Sequence, residues 1–163
     1  MTKSLASKRE TKGDLPRIDI DIDGWINLLR SISAGDTSTN TYHIVAHTTP
    51  LLQSYGITGD VWIGRSTVNK RHSRDTAHQL TEEEWIEVLN NINDPSCITK
   101  YNKVEKGFRL YTPVIHDGEN VCVGLEVRSI GRGIEISRIT TVFARHRIPV
   151  ENTETETVLY RKK

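Results

Sequence analysis

Residues 61–85, VWIGRSTVNKRHSRDTAHQLTEEEW, pass through three kinds of sequence in succession. Val61-Trp62-Ile63 is a compact apolar run of strand type. Arg65, Lys70, Arg71, His72, Arg74 and His78 follow, with Ser66 placed to cap a helical turn through Val68 to His72. Thr81-x-x-Glu84 is then a capping box, in which a hydroxyl and a carboxylate satisfy two backbone N–H groups reciprocally. Trp85, Val88, Leu89 and Ile92 recur at i, i+3, i+4 and i+7, one apolar stripe of a helix. Glu82, Glu83 and Glu84 fall in its first turn, where the helix macrodipole favours them, and Asp94-Pro95 ends it. A strand, a basic turn and a capped helix in so short a span predict a fold that mixes α and β.

Outward to the N-terminus the helical period returns, with Trp25, Leu28, Leu29 and Ile32 on one stripe behind Asp23 as the expected N-cap. Ser33–Thr41 reads as a loop, Tyr42–His47 as a short strand or the start of a helix, and Pro50–Gly56 as a short helix. Residues 1–22 read as a flexible lead-in, although the alternation IDIDID from Ile18 to Asp23 has the form of an acid-blunted edge strand. Outward to the C-terminus the character is β. Lys106–Ile115, a turn at Asp117–Asn120 and Val121–Ser129 form a hairpin signature. Gly131–Gly133 turns the chain into Ile134–Ala144, and Val158–Tyr160 reads as a last edge strand. Strict alternation would put Ile134, Ile136, Arg138, Thr140 and Val142 on one face and Ile139, Thr141 and Phe143 on the other. Residues 23–163 are therefore expected to be a single α+β domain, with N-terminal helices packed on one face of a mainly antiparallel sheet.

Composition sets the bounds. A chain of 163 residues with 36% hydrophobic content supplies one core, and a formal net charge of +1 gives no global sign of a nucleic-acid or membrane binder. Any basic surface is local. Cys97 and Cys122 are too few for a disulfide framework and read as free, buried thiols in a reducing compartment. No apolar h-region follows the N-terminal basic residues, and no apolar run reaches the length of a transmembrane helix.

The basic turn carries the chemistry. Cleavage of RNA without a metal needs a base for the 2′-hydroxyl, an acid for the leaving 5′-oxygen and cations for the phosphorane. His72 and His78 have the right intrinsic range for the proton transfers. Arg71 and Lys70 suit the phosphate oxygens, with Arg65, Arg74 and Arg145 as further substrate contacts and Thr140 or Thr141 as a phosphate-orienting hydroxyl. The bland alternatives are a solvated basic loop and, for the threonines, ordinary strand residues. His43 and His47 read as structural, His116 as a turn flank, and His146 as ambiguous within Arg145-His146-Arg147. HxxxH at His43 and His47 lacks the glutamate of a metalloprotease motif, so no metal or other cofactor is expected. Nucleotide-binding glycine loops and the GxSxG elbow are absent from the sequence.

The order VWIGRS, a basic turn with histidine, HxLTxExW from His78 to Trp85, a helix exit at Asn90–Pro95 and a closing meander with ITTVF resembles a known group. It is similar to the phage-associated toxin domains at the C-termini of MuF-type head proteins and polymorphic toxins, grouped with the barnase, EndoU, colicin and RelE-like ribonucleases. The resemblance covers Val61–Arg145. It implies helices preceding a sheet of about four antiparallel strands, metal-independent RNA cleavage at a site on that sheet, RNA (transfer RNA among the candidates) as substrate, and a neutralising immunity protein as partner. It also implies a cytoplasmic site of action after delivery by a phage particle or a secretion route. The positions carried over are His78, Lys70-Arg71-His72 and Thr140-Thr141. The helix around Trp25 has no counterpart in it.

Two other readings compete. ADP-ribosyl transfer would need an acidic pair, for which Glu151, Glu154 and Glu156 are the candidates, in a stretch that reads as a solvated tail. A non-catalytic virion or RNA-binding module would use the same basic patch only to grip phosphate.

Overall fold

The computed structural model describes residues 19–35, 41–65, 67, 80–145 and 147–163. Helix α1 (Ile22–Ser33) forms on the stripe from Trp25, and Trp25, Ile26, Leu28 and Leu29 are buried. Its N-cap is Asp21 rather than Asp23: Gly24 N–H donates to Asp21 Oδ1 at 3.0 Å. A Cβ at position 24 would meet the capping carboxylate, which would have to shift to make room. The expected edge strand at Ile18–Asp23 is thereby displaced, since the helix starts inside it, although Asp21 N–H still reaches Ile44 O at 2.6 Å. The rest of the expected lead-in, residues 1–18, lies outside the described residues.

Tyr42–His47 is strand β1, and Pro50–Gln53 is the single turn α2, followed by Gly56 at φ 92°. Strand β2 is Asp60–Gly64. Helix α3 (Glu82–Asn90) carries the capping box, with Glu84 N–H donating to Thr81 Oγ1 at 3.1 Å and Thr81 N–H to Glu84 Oε1 at 2.8 Å. The β-rich half forms β3 (Cys97–Tyr101), β4 (Gly107–His116), β5 (Glu119–Ser129), β6 (Glu135–Arg145) and β7 (Glu156–Arg161).

These strands make one seven-stranded mixed sheet in the order β1-β2-β6-β5-β4-β3-β7. The expectation of about four antiparallel strands falls short of this: β4, β5, β6 and β7 occupy the strands expected in the C-terminal half, and β3, which the sequence reading does not single out, lies between β4 and β7. Two further strands extend β6 on one side, where β2 runs parallel to it, and β7 extends β3 on the other. The parallel pair arises because β2 precedes the meander and returns to its far edge. Helices do not all come first either, because α3 follows two strands of the sheet.

Helices α1 and α3 cover one sheet face and enclose the main core. Trp25 and Trp85 meet edge to face at 5.3 Å over Val61, Ile63, Leu110, Val123 and Ile139. Among the described residues no helix is long and apolar enough to cross a membrane.

One irregularity decides what the other face presents. Gly124 on β5 pairs with Thr141, and the next residue, Leu125, pairs with Ile139, so Thr140 is an extra residue in β6. A bulge of this kind resets the alternation of side chains. Ile139 and Val142 both join the helix-side core, while Phe143 packs against Cys97, Tyr111 and Cys122 on the opposite side. Strict alternation through Ile134–Ala144 is corrected accordingly: Val142 parts company with Arg138, and Thr141 and Phe143 join the open face. Both cysteines are buried there and neither is in a disulfide.

Candidate functional site

The open face carries a small buried cluster of Cys97, Tyr111 and Cys122 and, beside it, a group of hydrogen-bonded polar side chains. The centre of that group is Glu156 at the start of β7, which is only 3% exposed. Tyr111 OH donates to Glu156 Oε1 at 2.6 Å, Thr99 Oγ1 donates to the same oxygen at 2.7 Å, and Arg109 Nη1 lies 3.0 Å from Oε2. The three donors come from adjacent strands, Thr99 on β3 and Arg109 and Tyr111 on β4, with Thr99 and Arg109 directly paired. A buried carboxylate is tolerable only when paired and hydrogen-bonded in this way. With Oε1 taking two hydroxyls and Oε2 a guanidinium, Glu156 is built to orient Arg109.

Arg109 is further held by aromatic rings, its guanidinium 4.2 Å from the centroid of Tyr101 and 5.5 Å from that of Phe143. A planar fork fixed by a carboxylate and a stacked ring keeps further N–H donors for an anion. Beside it opens a cleft of ≈ 270 Å³, lined by Arg109, Tyr101, Glu126, Thr140 and Thr141 among others. Gly124 belongs to its floor, and a Cβ there would stand 2.7 Å from Thr141 Cγ2. The bulge thus brings both threonines of the ITTVF motif to the cleft. Thr140 Oγ1 donates to Gly124 O at 3.3 Å.

The residues singled out from the sequence divide. Thr140 and Thr141 line the cleft. Arg65 is 8% exposed directly after β2, and Arg145 closes β6 opposite Asn120. Lys70, Arg71, His72, Arg74, His78 and His146 lie outside the described residues. Three other histidines are each paired with a carboxylate. His43 Nδ1 lies 3.0 Å from Asp21 Oδ2 and its Nε2 3.1 Å from Thr41 Oγ1, while His47 Nδ1 lies 2.6 Å from Asp60 Oδ1. His116 is more than a turn flank, because its Nδ1 sits 2.9 Å from both Glu84 oxygens and ties β4 to the first turn of α3.

These pairings show in the carboxylates. The His43 contact and the Gly24 N–H hold Asp21 below its usual range. Burial would raise Glu84, but the Thr81 N–H and His116 outweigh it and leave it lowered. Burial pushes the Cys97 thiol up, which makes it a poor nucleophile. Among the described residues no three His, Cys, Asp or Glu side chains converge as a metal site.

Arg109, Tyr111 and Thr99 escape the sequence reading, and Glu156 enters it only as one of three acidic residues weighed for ADP-ribosyl transfer. The available signals were a lone arginine inside the apolar strand Gly107–His116 and the period of two in Thr153-Glu154-Thr155-Glu156-Thr157. The tail reading of Glu156 is corrected: β7 pairs antiparallel with β3, and that pairing carries the carboxylate under Arg109.

A family model described as the phage MuF C-terminal domain matches residues 69–163, 95 of the chain's 163 residues. Comparison with curated proteins and with solved structures gave no match. The matched span contains α3 and β3–β7, hence every residue of the Arg109 cleft, and leaves out α1, β1 and β2.

Proposed function

The chain belongs to the phage MuF C-terminal domain family, and from that membership we propose that it is a metal-independent endoribonuclease toxin domain whose cleavage site is the open face of the sheet. The observation that carries the reading is the Arg109 cleft: a cation locked by a buried carboxylate beside two threonine hydroxyls. Such a site is matched to a phosphodiester, whose oxygens accept from a guanidinium fork.

The reaction is transesterification. A base takes the 2′-hydroxyl proton, the 2′-oxygen attacks phosphorus, the bond to the 5′-oxygen breaks, and an acid protonates that leaving oxygen. His72 and His78 are assigned the two proton transfers. Lys70 and Arg71 stabilise the phosphorane, Arg65, Arg74 and Arg145 grip the flanking backbone, and Thr140 or Thr141 orients the phosphate. Arg109 is added as a fixed cation for the developing charge. Glu156 serves as its positioning residue. The partner is a neutralising immunity protein, and the target is cytoplasmic RNA reached after delivery with a phage particle.

The deciding assay incubates the purified chain with synthetic RNA, with and without chelator. Fragments ending in 2′,3′-cyclic phosphate in both arms are expected, and His78→Ala is expected to abolish them without loss of fold. RNA that stays bound but intact would favour a non-catalytic binding module. A second enzymatic reading, ADP-ribosyl transfer, draws on the spacing Glu154-x-Glu156 beside the cleft. The three donors already on Glu156 leave it poorly suited to that role, and transfer of label from NAD to lysate proteins would reverse the preference.

A further inference from the structure

A second concavity lies on the same face, toward the opposite sheet edge. Trp62 stands between Val61 and Ile63, both fully buried on the helix side, so its indole projects to the open face. Tyr42 of β1 pairs with Gly64, and its ring lies flat over that glycine: a Cβ at position 64 would stand 2.6 Å from Tyr42 Cδ1 and Cε1. The Tyr42 and Trp62 rings have centroids 6.3 Å apart and are tilted by 43°. Arg138 on β6 pairs with Trp62, and its guanidinium is 5.8 Å from the Tyr42 ring. With Arg128 and Ile136 these groups enclose ≈ 240 Å³, and Tyr42 remains 48% exposed.

The two concavities adjoin on that face. Glu126 lines the Arg109 cleft and Arg128 the aromatic one, and the two side chains are neighbours on β5, with Arg128 Nε 3.8 Å from Glu126 Oε1. Three strand spacings separate β2 from β4, roughly 14 Å, a span of a few nucleotides of extended single strand. Two aromatic rings flanked by two guanidinium groups match the alternating chemistry of such a strand, which offers flat bases between phosphates.

We infer that the Tyr42–Trp62 step, with Arg128 and Arg138, is a stacking subsite that holds a base of single-stranded RNA a few nucleotides from the Arg109 cleft. The inference rests on the ribonuclease reading for its substrate, but its test does not require cleavage. It also gives a function to β1 and β2, which lie outside the span matched to the family.

The probe is a short 2′-O-methyl oligoribonucleotide, which lacks the attacking hydroxyl and is not cut. Trp25 and Trp85 are buried in the core, so quenching of tryptophan emission on titration reports Trp62. Saturable quenching is expected. Tyr42→Leu is expected to weaken binding about tenfold or more, Tyr42→Phe to restore it, and Gly64→Ala to weaken it by displacing the ring. Binding without quenching, and indifferent to Tyr42→Leu, would overturn the subsite while leaving the ribonuclease reading intact. Preference for a duplex over the single strand would overturn it too, as would concentration-dependent dimerisation that Tyr42→Leu abolishes with no oligonucleotide bound. Loss of RNA cleavage in the unmodified assay alongside retained quenching would instead remove the nuclease reading and keep the subsite.

Discussion

Glu156 shows how little a residue's sequence neighbourhood says about its charge environment. Set among threonines and other glutamates near the C-terminus, it has the composition of a solvated tail. Pairing of β7 with β3 buries it against three donors from other strands, and that contact spans 45 or more residues of sequence. Removing one side of a buried ion pair costs about 3–5 kcal/mol, because the partner charge is left without compensation. Glu156→Ala is therefore expected to lower unfolding free energy by about 3 kcal/mol or more in denaturant melts. Glu156→Gln still accepts from Tyr111 and Thr99 but leaves Arg109 without its counter-charge, so it should lose nearly as much. Arg109→Lys keeps the charge but gives up the planar fork and the ring stacking, so it should fold and yet lose about a hundredfold in RNA cleavage. A Glu156→Gln protein as stable as the parent would show that the ion pair is not what holds the face together.

Glu84 makes a prediction about pH at the same scale. Its folded pKa lies below the usual carboxylate value of 4.5, since the Thr81 N–H and His116 outweigh the effect of burial. In that case the unfolded chain binds more protons as pH falls below about 4.5, and the contribution of Glu84 is present above that value and lost as pH drops through the folded pKa. Glu84→Gln retains an acceptor for the capping N–H and removes the titration. Its unfolding free energy should therefore fall less steeply with acid than the parent's, measured by denaturant melts at a series of pH values below neutrality. Parallel acid limbs for the two proteins would remove Glu84 from the account.

Among the elements, the two long amphipathic helices and the capping box were legible because each is encoded within a few adjacent residues. Strands β4, β5 and β6 were legible for the same reason, whereas β3, a five-residue run, was not. Pairing between distant segments was not: nothing local to Asp60–Gly64 tells it to run parallel to β6, and nothing in ITTVF marks Thr140 as the supernumerary residue. That bulge is nevertheless testable by deletion. Removing Thr140 makes Ile139 and Thr141 adjacent while preserving their partners Leu125 and Gly124, so every side chain keeps its face. Removing Ser137, by contrast, forces a one-residue slip on one side of the deletion and turns buried residues to solvent. The Thr140 deletion is expected to melt cooperatively within a few degrees of the parent while losing RNA cleavage. The Ser137 deletion should fail to give a folded protein. Comparable folding of both would show that face alternation does not govern β6.

For the molecule as a whole, the span that matches the family and the span that folds are different lengths. Residues 69–163 supply α3 and five strands, enough to place Arg109, Glu156 and both threonines. They do not supply a complete core. Trp25, Leu28 and Leu29 from α1, Val45 from β1, Leu52 from α2 and Val61 and Ile63 from β2 all lie in the same apolar cluster as Trp85, Val88 and Ile139. Cutting before residue 69 strips those partners, exposes that face of α3 and the meander, and leaves β6 as a bare apolar edge, the form of edge that invites pairing with other chains. The fragment 69–163 is accordingly expected to aggregate or to behave as a molten state, with dye-binding apolar surface and no cooperative thermal transition. The full chain should show a single cooperative unfolding step and a dispersed amide spectrum. A well-folded 69–163 fragment would mean that α1, β1 and β2 are an appendage on a self-sufficient domain, and that the aromatic subsite they carry was added to a site able to stand without it.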